Sequence, residues 1–257
     1  MPQIAAAGHS LEYQWIEGAD AAFPCLIFLH EGLGSIRQWR DFPERLAKAS
    51  GCGALVYDRY GYGNSDVLKE ERVGFDFMHR EALLFLPDLL EKLKIKNPIL
   101  IGHSDGASIA LIHAGIHPVR GVAVMAPHVF IEDVCVKSIQ KALAQFETTD
   151  LSERLAKYHR DAAKTFHLWA DAWLDPAFRG WNIEEYLPGM KCPVLAIQGE
   201  GDEYGSMAQL DAIARQAGGP CELLKLKDCG HSPHKDQAGL VLSSLKAFIG
   251  KIIGTNS

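Results

Sequence analysis

Three residues far apart in the chain have the types needed to turn an alcohol into a nucleophile: Ser104, Asp202 and His231. A serine hydroxyl attacks a carbonyl carbon poorly unless an imidazole takes its proton. The imidazole in turn needs a carboxylate to set its tautomer and to stabilise the imidazolium. The tripeptide Gly-His-Ser occurs three times, at 8–10, 102–104 and 230–232, and its surroundings decide what each copy can do.

The middle copy follows the apolar run PILIGH (98–103) and precedes the small-residue pattern SDGASIALIHAGI. It completes G-x-S-x-G at 102–106, a strand-to-helix turn that lifts a serine hydroxyl above a sheet. Small residues are needed there because strand and helix backbones approach closely. The first copy lacks the second glycine and reads as a turn between two early strands. In the third, DCGHSPHKD, Ser232 precedes a proline, and His231 lies where a base would be delivered to Ser104. His234 is its local competitor, a turn later at the start of the next helix. Asp202 in QGEGDEYG is the expected acid, with a helix cap or turn aspartate as the alternative role and Asp133 as a lower-ranked acid. The order Ser, Asp, His is one this kind of architecture uses.

These residues need a sheet to bring them together. CLIFLH (25–30), GALVYD (53–58), PILIGH (98–103), VRGVAVMAP (119–127), CPVLAIQG (192–199) and CELLKLKD (221–228) read as strands, and QIAAA and LEYQWIEG as an antiparallel start. Helical patterns alternate with them: IRQWRDFPERLAKA, FDFMHREALLFLPDLLEKLK kinked or broken at Pro87, SDGASIALIHAGI, SMAQLDAIARQAG and KDQAGLVLSSLKAFIGKII. That alternation predicts an α/β domain with a mainly parallel sheet covered on both faces. Between 128 and 188 no strand is expected, only helices rich in aromatics, including Trp169 and Trp173. Such an insertion reads as a lid over the sheet's C-terminal edge, where open α/β folds bind ligands. The whole chain, 1–257, reads as a single domain with the 128–188 lid inserted within it.

Bulk properties narrow the function. A net charge of −6 and the lack of a Lys/Arg cluster argue against nucleic acid. The amino terminus does not read as a signal peptide, and no apolar segment reaches the length of a membrane span, so a cytoplasmic location is expected. Six cysteines, at 25, 52, 135, 192, 221 and 229, form no C-x-x-C pair and read as buried reduced thiols, not a disulfide frame or zinc site.

FLHEGLGS, YDRYGYGNSD, IGHSDGAS, the Asp202 turn and CGHSPHKD appear in an order that resembles the α/β-hydrolase superfamily, in its lid-bearing, esterase- and peptidase-like branch. The resemblance covers essentially the whole chain and is specific for fold, not for substrate. It implies an eight-stranded, mostly parallel sheet and a Ser–His–Asp triad. It also implies an oxyanion hole made of the backbone N–H of Asp105 and that of Gly32 or Leu33, with Glu31 standing where relatives usually carry glycine. His30 and the loop Asp58, Arg59 and 61–65 take structural roles on this reading. Ser104 argues against the dehalogenase and epoxide hydrolase branches, which use an aspartate in the turn.

The chemistry expected is acyl transfer: attack by Ser104, an acyl-enzyme, and hydrolysis by water activated at His231, with no metal or organic cofactor. The substrate is a small molecule with a carbonyl, cleaved as a carboxylic ester; amide, lactone, thioester and C–C bonds share the machinery. A lyase or perhydrolase on the same triad, and a ligand receptor of the same fold, remain alternatives, and homodimerisation is open. Glu31, His103, Asp105, Trp169 and Trp173 are the candidates to touch substrate. Asp105 either caps the helix that starts there, where its charge complements the N-terminal dipole, or binds a substrate amine, as in a valacyclovir hydrolase-like branch of the family.

Overall fold

A computed structural model of the protein describes residues 1–20 and 22–254. Its eight strands are β1 (Gln3–Ala6), β2 (His9–Ile16), β3 (Leu26–Leu29), β4 (Ala54–Tyr57), β5 (Ile99–His103), β6 (Gly121–Met125), β7 (Val194–Gly199) and β8 (Cys221–Leu226). They lie in one sheet in the order β1-β2-β4-β3-β5-β6-β7-β8. The β1–β2 and β2–β4 pairs are antiparallel and every later pair is parallel. The strands from β3 to β7 are buried along their whole length, which is why they read as unbroken apolar runs and not as alternating ones.

Helices α1 (Phe42–Ser50), α2 (Phe77–Arg80), α3 (Leu86–Lys92) and α4 (Asp105–Ile116) follow the first parallel strands. The insertion between β6 and β7 carries α5 (Asp133–Thr148), α6 (Leu151–Ala156) and α7 (Ala162–Leu174). Then come α8 (Ala208–Gln216), the short α9 (Pro233–Asp236) and α10 (Ala238–Gly254). Two apolar clusters, one per sheet face, form the core: Leu46, Leu245 and Phe248 pack with one, and Leu86, Ile109 and Leu210 with the other. Among the described residues no helix is long and apolar enough to cross a membrane.

Two helical expectations change. The pattern 36–49 is not one helix: a 3₁₀ turn (Ile36–Trp39) ends where Arg40 takes φ 54°, and α1 starts afresh with Pro43 in its first turn. Conversely, Pro87 does not break its helix. A π-helical turn (Glu81–Phe85) joins α2 to α3 and absorbs the missing proline N–H, while Phe85, Leu86 and Leu89 stay buried. The six cysteines are all free, but Cys25, Cys192 and Cys221 are only half-buried.

Candidate active site

Ser104 sits between β5 and α4 with φ 53° and ψ −119°, a backbone conformation costly for a residue with a Cβ. Its N–H donates to the Met125 carbonyl at 2.9 Å, tying the turn to β6. The flanking glycines are required by close approach. A Cβ on Gly102 would lie 2.4 Å from the Gly106 carbonyl oxygen, and one on Gly106 would lie 2.0 Å from that of Leu29.

His231, on the loop after β8, brings Nε2 to 2.9 Å from the Ser104 hydroxyl and Nδ1 to 2.8 Å from Asp202 Oδ1. A carboxylate can only accept, so the ring proton is on Nδ1 and the Nε2 lone pair faces the serine. Asp202, in the loop after β7, also accepts from the Tyr204 N–H at 2.9 Å and from Gln198 Nε2 at 3.1 Å. Burial works to raise the Asp202 carboxyl, but the His231 bond and charge outweigh it and hold it below the ordinary range. The geometry suits removal of a serine proton by an oriented imidazole.

The turn after β3 carries Glu31, Gly32 and Leu33 and is closed by a 3.0 Å bond from the Gly34 N–H to the Glu31 carbonyl. Gly32 lies under Trp169: a Cβ there would stand 2.2 Å from the indole Nε1. A cavity of about 230 Å³ opens beside Ser104 and His231, and Glu31, Gly32, Leu33, Asp105, Trp169 and Trp173 all line it. His103 does not. It is buried, with Nε2 donating to the His231 carbonyl at 2.7 Å and Nδ1 3.4 Å from Glu31 Oε2. Burial would raise the Glu31 carboxyl, yet His103 and Lys235 hold it well below its usual range.

Asp105 makes no cap; the N-cap position belongs to Ser104. Its side chain is 1% exposed and its Oδ2 has no hydrogen-bond partner. Burial pushes its carboxyl up to about 6, against the pull of the Arg59 and His231 charges and of the neighbouring Trp169 indole N–H. The alternatives weighed for the triad fall elsewhere. Asp133 is exposed and paired with Arg179 at 2.5 Å, and His234 is buried against the Trp39 ring, centroids 4.8 Å apart. The first Gly-His-Ser copy contributes Gly8 to the β1–β2 turn and opens β2 with His9 and Ser10, Ser10 Oγ donating to Gln3 Oε1 at 2.9 Å. His30 accepts the Arg59 N–H at 3.1 Å, and Asp58 accepts the N–H groups of Ile36 and Asn64 at 2.7 and 2.9 Å, so both hold loops.

Sequence reasoning missed several lining residues, His128, Cys135, Ile139, Glu203 and Tyr204 among them. His128 stacks on His231 with centroids 5.9 Å apart, and burial pushes its imidazole down to about 4, so it stays neutral near pH 7. Its place just past the end of β6, at the ligand-binding edge, was the available signal.

Comparison with known proteins gives a match to the model of the alpha/beta hydrolase family over residues 26–243. The chain is 28% identical over 197 residues to the 2-succinyl-6-hydroxy-2,4-cyclohexadiene-1-carboxylate synthase of Enterobacter sp. (strain 638), covering 76% of this chain and 68% of that one. It is 26% identical over 226 residues to the human serine hydrolase BPHL, covering 84% and 75%. The crystal structure of proline iminopeptidase from Mycobacterium smegmatis superposes with a TM-score of 0.79 over 100% of this chain and 99% of that one. At 16% identity, that likeness is one of fold.

Proposed function

The chain belongs to the alpha/beta hydrolase family, and from that premise we propose that it is a serine hydrolase cleaving the carboxylic ester of a small molecule. Ser104 is the nucleophile, His231 the general base and then acid, and Asp202 the residue that orients the imidazole. The observation that carries this reading is the 2.9 Å contact between His231 Nε2 and the Ser104 hydroxyl, made while Nδ1 is held by Asp202. Attack forms a tetrahedral oxyanion, received by the N–H of Asp105 and by that of Gly32 or Leu33. The leaving alcohol takes the proton from His231, and water activated by the same ring releases the acid. No step needs a metal or organic cofactor.

The helical insertion, 128–188, serves as a lid, and the cavity of about 230 Å³ suits a short acyl or aryl group. Its charge bears on substrate class. Glu31, Asp105 and Glu203 line it, and among the described residues no Lys or Arg does. A substrate with several carboxylates, such as the name of the matched synthase suggests, would be repelled there. That argues for the hydrolase over a synthase-type reaction on the same triad.

A second reading has one observation of its own. The unpartnered, buried Oδ2 of Asp105 favours a substrate bearing an amine, as in amino-acid esters. Faster cleavage of such esters than of matched esters lacking the amine, with the difference erased by Asp105→Asn, supports it; equal wild-type rates end it.

The test of the main reading is fluorophosphonate labelling followed by a p-nitrophenyl ester chain-length panel. Labelling of Ser104 and turnover of short esters are expected. An unlabelled serine in a protein that still binds a small ligand would make it a receptor.

A further inference from the structure

The helical insertion meets the turn proposed for the oxyanion hole through two buried side chains, Trp169 packed over Gly32 and His159 hydrogen-bonded to Leu33. We propose that His159, between α6 and α7, is a positioning residue that ties the insertion to the two backbone loops shaping that hole. Its Nδ1 accepts from the Gly63 N–H at 2.9 Å, and its Nε2–H donates to the Leu33 carbonyl at 3.0 Å. An N–H can only donate and a carbonyl can only accept. The neutral imidazole protonated on Nε2 is therefore the one form that satisfies both partners. At 6% exposure, little water reaches the ring to replace either bond. Burial also pushes the imidazole below its usual range, in keeping with that form.

The placement matters for chemistry because Leu33, with Gly32, is one of the two candidates for the second N–H donor to the oxyanion, and both lie in this one turn. Holding its carbonyl limits rotation of the turn about that residue. The same stretch of the insertion is stitched to neighbouring backbone on either side. Arg160 N–H donates to the Gly63 carbonyl at 3.0 Å, Thr165 Oγ1 to the Gly61 carbonyl at 2.7 Å, and Arg37 Nη1 to the Lys157 carbonyl at 2.8 Å. Asp58 joins the same two loops through Ile36 and Asn64. His159 is the member of this set that brings the insertion directly onto the oxyanion turn.

The inference rests on the acyl-transfer reading only in its kinetic arm. The full chain is compared with His159→Phe, which keeps a ring but neither bond, and His159→Gln, which offers one acceptor and a donor. p-Nitrophenyl butyrate turnover and backbone hydrogen–deuterium exchange are measured on each. For His159→Phe, kcat falls about 10- to 100-fold, the scale of a small misplacement of a catalytic group. KM stays within about threefold, since the lost interaction matters in the transition state. Exchange accelerates at Gly63 and across the oxyanion turn. His159→Gln recovers most of kcat and the protection. If His159→Phe does not fold, His159→Asn, too short to span both partners, replaces it.

Unchanged kcat in the Phe variant, or a Gln variant no better than Phe, reduces His159 to a packing ring and overturns the proposal. Unchanged exchange at Gly63 overturns it equally. A wild-type protein that leaves the ester intact defeats the function reading instead, and the exchange arm, which needs no turnover, still decides the role of His159.

Discussion

His103 donates from Nε2 to the backbone carbonyl of His231 at 2.7 Å. The residue preceding the proposed nucleophile thus holds the loop that delivers the proposed base, across 128 positions of sequence. Glu31, 3.4 Å from the other ring nitrogen, extends the contact to the oxyanion turn. Removing the donor leaves a partly buried carbonyl unsatisfied, at about 1 kcal/mol. His103→Leu is expected to lose that much stability in urea unfolding and to lower kcat more than it raises KM. A variant as stable and as active as the wild type would show that the His231 loop holds itself.

Ser104, the proposed nucleophile, holds a strained backbone at φ 53° and ψ −119°. Both Ser104→Ala and Ser104→Gly should abolish ester turnover, by roughly 10⁴-fold or more. Stability should separate them, because glycine relaxes the turn and alanine does not. Ser104→Gly is expected to exceed Ser104→Ala by about 1 kcal/mol in denaturant unfolding. Equal midpoints would mean that the turn stores no strain.

The Asp105 carboxyl is pushed by burial from 3.8 up to about 6. A carboxyl raised on folding stabilises the native state in its protonated form. That contribution is full below the unfolded value and is lost as pH rises through the folded one. Asp105→Asn, which stays neutral, should therefore melt above the wild type near pH 7.5 by about 2–4 °C, the equivalent of ~1 kcal/mol in a domain this size. The advantage should vanish below pH ~3, where the carboxyl is protonated in both folded and unfolded states on the linkage argument. A gap independent of pH would contradict the burial argument.

Gly32 admits Trp169 onto the oxyanion turn, since an added Cβ would stand 2.2 Å from the indole nitrogen. Gly32→Ala must displace either the ring or the turn, at about 1–3 kcal/mol for overpacking. A shift in tryptophan fluorescence and at least a tenfold loss of kcat/KM are expected, roughly 1.4 kcal/mol or more in the transition state. Trp169→Phe in the same background should restore part of the activity. Failure of that rescue would place the damage in the turn itself.

How much of this was legible beforehand depended on range along the chain. The strands from β3 to β7 declared themselves because burial on both faces leaves an unbroken apolar run. The turn around Ser104 was readable because the glycines that permit it lie within two residues of it. Asp202 and His231 were found as residues placed just after strands, where side chains reach the sheet's C-terminal edge. At Pro87 the expected break does not occur, because a π-helical turn just before it lets the helix run on with Phe85 and Leu86 in the core.

The amino-acid sequence alone thus determined the α/β order, the strand-to-helix turn at Ser104 and the residue types offered to it, since each is written in contacts between near neighbours. Tertiary structure decided the rest. It turned His103 away from the cavity, set His234 against Trp39, left the Oδ2 atom of Asp105 without a hydrogen bond and chose Trp169 to cover Gly32. It also placed His159 between Leu33 and Gly63, residues 126 and 96 positions away. Such pairings carry no periodicity and no spacing, because they depend on how packed layers bring distant loops together.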